Sequence, residues 1–127
     1  MPSRQKLAQY KQIDIKTRVD SASPHRLIQM LFDGALEALA QGKGAMVREE
    51  IEAKGKALTK AATIISGLRD SLNKDVDSEL PYNLDHLYEY MQRRTMDAHA
   101  QNDPQAIEEV VELLQNLKSG WDEISPE

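Results

Sequence analysis

Between Val47 and Leu72 the residues Val47, Ile51, Leu58, Ala61, Ile65, Leu68 and Leu72 return in alternating steps of four and three. That spacing keeps side chains along one side of a rod turning about 100° per residue, which is the mark of a helix seam and not of a strand. The single interruption is Lys54, standing where an apolar residue is due. A helix is therefore predicted from about Met46 to Asn73. Gly55 and Gly67 within it each cost a helix roughly 1 kcal/mol against alanine. They either admit a close neighbour or are tolerated flaws. Glu50 with Lys54, and Glu52 with Lys56, are spaced as i,i+4 ion pairs on its solvated flank.

Three other segments share the period. The first is predicted from about Pro24 to Gln41. Ser23 suits its N-cap, and Pro24 suits the first helical position, where no N–H is needed. Leu27, Ile28, Leu31, Phe32, Ala35, Leu36, Ala38 and Leu39 cover roughly half its circumference. One core contact needs an arc of only about 100°, so the surplus means burial on two sides or a place where something docks. Gly42 and Gly44 are expected to end this helix in a tight turn. The third helix follows the turn-forming stretch from Asn73 to Pro81 and lines up Leu80, Leu84, Leu87, Met91 and Ala98, with Tyr88 beside them. Arg94 falls on the same stripe, where its stem can pack while its head reaches water. The fourth opens at Asp103-Pro104 with the same capping logic and carries Ile107, Val110, Val111, Leu114, Leu117 and Trp121. Glu108, Glu109 and Glu112 sit in its first turns, where negative charge suits the helix dipole.

Short connections make consecutive helices antiparallel. The expected fold is all-α, an antiparallel up-down four-helix bundle over residues 21–127 preceded by an N-terminal arm or short helix over residues 1–20. A chain of 127 residues can build a core without a disulfide or a metal, and it contains no cysteine. No apolar run approaches the ~20 residues of a membrane span, and the N-terminal residues lack the apolar core of a secretory signal. A cytoplasmic protein without membrane insertion is expected. The net charge of −5 argues against nucleic-acid binding by bulk electrostatics. Residues 1–26 carry six basic and two acidic side chains, leaving a basic leading arm on an acidic body. Tyr10, Ile13 and Ile15 are the apolar residues this arm can place against the bundle.

No constellation carries chemistry. His25, His86 and His99 lack the Glu-x-x-His pairing of di-metal bundles, since Ala22, Asn83 and Met96 precede them by three. His86 and His99 are conceivable phosphoacceptors of a histidine phosphotransfer bundle, but neither is followed by the lysine of that signature. There is no hydrolase motif, and with no strand there is no phosphate loop. No catalytic residue, cofactor or metal is expected.

The ordered set Ser21-Ala22-Ser23-Pro24-His25, Leu27-Ile28 and Met30-Leu31-Phe32-Asp33-Gly34 continues through Ile64-Ile65, Leu68, Asn83-Leu84, Leu87-Tyr88, Tyr90-Met91 and Arg93-Arg94. It ends with Asn102-Asp103, Glu108-Glu109-Val110 and Trp121. From Tyr10 to Trp121 the chain resembles the flagellar secretion chaperones of the FliS type. The resemblance implies a cytoplasmic, non-enzymatic protein that binds the disordered C-terminal segment of flagellin in an apolar groove. Binding would prevent premature polymerisation and keep flagellin competent for export. It also implies contact with a component of the flagellar export gate, and an N-terminal segment that covers the groove when no client is bound. By position, Tyr10 and Ile13 would be that lid. Leu31, Leu36, Leu84, Leu87, Tyr88 and Met91 are the groove candidates, each also suited to ordinary core packing. Thr95 stands where the family often has Leu, and His99 where Asn is common, so a more polar surface on the third helix is expected.

Overall fold

The capping residues place the helices as expected. In the computed structural model, which describes residues 22–124, the Ser23 hydroxyl accepts from the Arg26 N–H at 3.1 Å. Asp103 accepts from the N–H groups of Gln105 and Ala106. Each of these residues is followed by proline at the start of its helix. The four helices are α1 (Pro24–Val47), α2 (Ile51–Asp70), α3 (Leu80–Gln101) and α4 (Pro104–Glu123). Each packs on the one before it, and α4 closes the ring on α1. The result is an up-down four-helix bundle, whose core includes Phe32, Leu39, Leu58, Ile65, Met91 and Leu114. Tyr10 and Ile13 lie outside the described residues.

Gly42 and Gly44 do not end α1, which continues to Val47 and buries Ala45 and Met46. Gly42 is instead a point of close approach. A Cβ there would stand 2.8 Å from Leu58 Cγ, and nearer still to Leu58 Cδ2. The packing of Leu58 against bare backbone outweighs the cost of glycine in a helix. Gly55 and Gly67 are less crowded, with the nearest atoms of His99 and Leu31 at 3.4 and 3.6 Å from such a Cβ.

The break falls at Arg48, Glu49 and Glu50. Glu49 takes a left-handed φ of 59°. Its N–H donates to Met46 O at 3.1 Å, and the Glu50 N–H donates to Ala45 O at 2.8 Å. This is a Schellman closure with glutamate in the position usually held by glycine. The helix beginning at Ile51 is thus shorter than the predicted span from Met46 to Asn73, and its last helical residue is Asp70. Val47 is the last residue of α1 and Ile51 the first of α2, so the two stand at the end of the bundle and are 70% and 74% exposed although they open the apolar series.

Lys54 shows the opposite behaviour. It is buried, and its Nζ donates to the carbonyl of His99 at 3.0 Å and to the side-chain oxygen of Asn102. Asn102 is itself left-handed, with φ of 51°, and closes α3. The one misfit in the α2 seam is therefore a cationic cap on the C-terminus of α3, where orphan carbonyls and the helix dipole both favour a positive charge. The expected i,i+4 pairs on α2 give way accordingly. Lys54 is spent on α3, and Glu50 pairs with Arg48 at 2.6 Å. Lys56 makes no ion pair with Glu52 within 4 Å. Thr95 does not add polarity to the surface of α3: it is fully buried, and its hydroxyl donates to Met91 O at 2.7 Å.

Candidate functional site

The end of the bundle where α1 and α3 begin and α2 and α4 finish holds an open apolar cleft of about 520 Å3. That size is ordinary for a binding site. Each segment supplies part of it for a local reason. Ile28 and Phe32 are one turn apart on α1 and point down the same face. Leu72 and Val76 come from the connection after α2, and Leu80, Leu84 and Tyr88 step down α3 at four-residue intervals. Leu117, Trp121 and Ile124 come from the end of α4. Phe32 and Tyr88 are buried, whereas Val76, Leu80 and Ile124 are 46%, 60% and 53% exposed. The site is therefore an apolar floor with an apolar, solvent-facing rim. A shallower extension along α1 is lined by Pro24, Leu27, Leu31 and the His25–Trp121 pair.

Polar contacts on two sides fix the walls. Trp121 Nε1 donates to the carbonyl of His25 at 2.9 Å, and the two rings stack with centroids 5.0 Å apart. Beside them, Lys118 pairs with Asp122 at 2.7 Å and with Asp33 at 3.6 Å, tying α4 to α1. The Gln29 amide donates to Asp122 at 2.7 Å. The hydrogen bond from Lys118, followed by that from Gln29, holds the Asp122 carboxyl below its usual range.

On the other side, Arg69 near the end of α2 donates to Asp85 of α3 at 2.5 Å, and Lys74 of the connection stands 3.3 Å from the same carboxylate. The Arg69 hydrogen bond is the main cause that lowers the Asp85 carboxyl, with Lys74 adding to it. Burial pushes the Tyr88 phenol up to about 12, so it stays neutral at any physiological pH.

Among the groove candidates, Leu84 and Tyr88 line the cleft and Leu31 lines its extension. Leu36 and Leu87 are half-buried against the core, and Met91 is fully buried within it. Residues not named as groove candidates, among them Leu72 and Leu80 at the ends of their stripes and Val76 and Ile124 outside any stripe, supply much of the rim. Their shared signal is position: each lies at or just beyond a helix terminus on the same end of an up-down bundle. Chemically the cleft presents aliphatic and aromatic surface with a few neutral polar groups such as Ser71, Asn73 and Asn116. Among the described residues no group of His, Asp or Glu is arranged to hold a metal ion. Nor is any helix there long and apolar enough to cross a membrane. Such a surface is chemically suited to apolar side chains.

Residues 6–127 match the sequence profile described as flagellar protein FliS. The chain is similar to the flagellar secretion chaperone FliSB of Pseudomonas aeruginosa, with 50% identity over 119 residues that span 94% of each protein. It is similar to the flagellar secretion chaperone FliS of Vibrio cholerae, with 41% identity over 98% of this chain and 91% of that one. It also resembles the FliS of Salmonella typhimurium, with 47% identity over 92% and 87% of the two chains.

Proposed function

Because this chain belongs to the family of the flagellar protein FliS, a family of secretion chaperones and not of enzymes, we propose that the cleft at the end of its bundle is the seat of its client. The client is flagellin, held through its C-terminal segment, which is disordered when free; binding prevents premature polymerisation and keeps flagellin competent for export, and the chaperone contacts a component of the flagellar export gate. The chaperone acts in the cytoplasm, before export. Residues 1–20 form a separate arm on the bundle of residues 21–127, and in the absence of client Tyr10 and Ile13 cover the apolar surface.

The observation that supports this reading is the exposed apolar rim of Val76, Leu80 and Ile124 over the buried floor of Phe32 and Tyr88. A short amphipathic helix can seat its anchors in such a cleft at i, i+3 and i+4 spacing. A client that is disordered when free loses conformational entropy on ordering, and wrapping a large apolar area offsets that loss. An empty apolar rim is an aggregation hazard, which gives a displaceable cover a physical purpose. Among the groove candidates, Leu31, Leu84 and Tyr88 are those whose positions let them touch a client directly.

The test is a binding isotherm of the full chain with flagellin, with flagellin lacking its C-terminal segment, and with the Val76→Ser/Leu80→Ser variant. Binding is expected only to intact flagellin and is expected to weaken by roughly tenfold in the variant, the loss due to two exposed aliphatic anchors. Equal binding to both flagellins, or an unaltered isotherm with the variant, would sink the assignment.

A further inference from the structure

At the opposite end of the bundle, one length of α1 from the cleft (24 residues, about 36 Å), the turn between α1 and α2 leaves Val47 and Ile51 about three-quarters exposed to solvent. Large aliphatic side chains this exposed, and adjacent, are the informative exception on a protein surface. They stand over a pocket of about 550 Å3 that Met46, Lys54, Asn102 and Pro104 also line. The pocket is a rigid feature. The Schellman closure at Glu49 and Glu50 fixes its near wall, and the Lys54 ammonium locks α2 to the end of α3 behind it. Among the described residues, the charged side chains of this turn that make no ion pair or hydrogen bond are Glu49 and Glu52. Glu49 and Glu50 line the pocket and Glu52 follows on α2. Arg48 is engaged by Glu50, and Lys54 is spent on the α3 carbonyl and Asn102.

We propose that this end is a second docking site, distinct from the cleft, for a protein segment that inserts an aliphatic or aromatic side chain against Val47 and Ile51 and sets Lys or Arg beside Glu49 and Glu52. Charge complementarity selects the occupant: an acidic segment would meet the carboxylates of Glu49 and Glu52, and a neutral one would leave those two without partners. The site adds to the client reading without resting on it, since no residue is shared with the cleft.

The probe is a short synthetic helical peptide bearing Leu and Lys at one-turn spacing, with a control in which every Lys is replaced by Glu. Both are titrated into the isotopically labelled full chain and followed by amide chemical shifts. The basic peptide is expected to move amides of residues 45–54 and of Asn102 and Asp103. Its affinity is expected to fall about tenfold in Val47→Ser/Ile51→Ser, and also in Glu52→Lys. The first variant should leave flagellin binding as it was. Equal affinity for the acidic peptide would overturn the proposal. So would shifts confined to the cleft, self-association of the chain in place of peptide binding, or indifference to the substitutions. Because flagellin binding is read separately, loss of one reading leaves the other standing.

Discussion

Gly42 and Gly120 are both helical glycines, and they forecast opposite responses to alanine. At Gly42 an added methyl runs into Leu58, so Gly42→Ala should destabilise on the order of 1–3 kcal/mol through overpacking. At Gly120 no described atom lies within 4 Å of the new Cβ, and Gly120→Ala should stabilise by about 0.5–1 kcal/mol by restricting the unfolded chain. Urea unfolding of both variants beside the parent checks the pair; equal effects would mean that helix propensity, not contact, governs these positions. Lys54 makes a second residue-level case. Lys54→Met keeps the stem but leaves the His99 carbonyl and the Asn102 side chain without their donor. A loss of about 1–3 kcal/mol is expected. A neutral result would mean that desolvating the ammonium costs as much as its bonds return.

Among the helical elements, the connection from α2 to α3 is held by Asp85 between Arg69 and Lys74. The Asp85 carboxyl is lowered in the folded protein, first by its hydrogen bond from Arg69. The linkage has a definite sign. A depressed carboxyl contributes stability that is fully present above its ordinary value of 3.8 and is lost as pH falls from there through the folded value. Stability measured by urea unfolding should therefore drop on acidification below that point, and the drop should be shallower in Asp85→Asn. An identical pH profile in the variant would remove Asp85 from the account. The same two residues, Asp85 and Arg69, join α2 to α3 beside the cleft.

For the molecule as a whole, the proposal of an arm that covers the cleft makes a forecast about the full chain. Deleting residues 1–18 should leave far-UV circular dichroism and cooperative unfolding in place while raising the fluorescence of an apolar dye. No rise would count against the cover. The helix count, the bundle and the family resemblance are all legible in the sequence. Ser23-Pro24 and Asp103-Pro104 mark two helix starts by local chemistry, and the α2 seam marks a third helix by period. The cleft is legible only in part. Leu72, Leu80 and Leu84 stand on readable stripes, but that they face one cleft together with Val76 and Ile124, which no stripe marks, follows only from the meeting of four helix ends. Val47 and Ile51 mislead in the other direction, for their spacing matches a core seam but they fall on two helix ends, either side of the turn, where the bundle no longer covers them.

What the sequence determined by itself is whatever depends on neighbours along the chain: caps, helical period, short connections and the excess of apolar residues on α1. What only the tertiary structure decided is whatever depends on pairs far apart in sequence. Gly42 is a contact for Leu58 and not a stop, Lys54 is a cap for α3 and not a flaw in α2, and the apolar excess is gathered at one end of the bundle. The reason is physical: local conformational preferences amount to about 1 kcal/mol per residue, and a single packed or hydrogen-bonded contact across helices is large enough to reverse them.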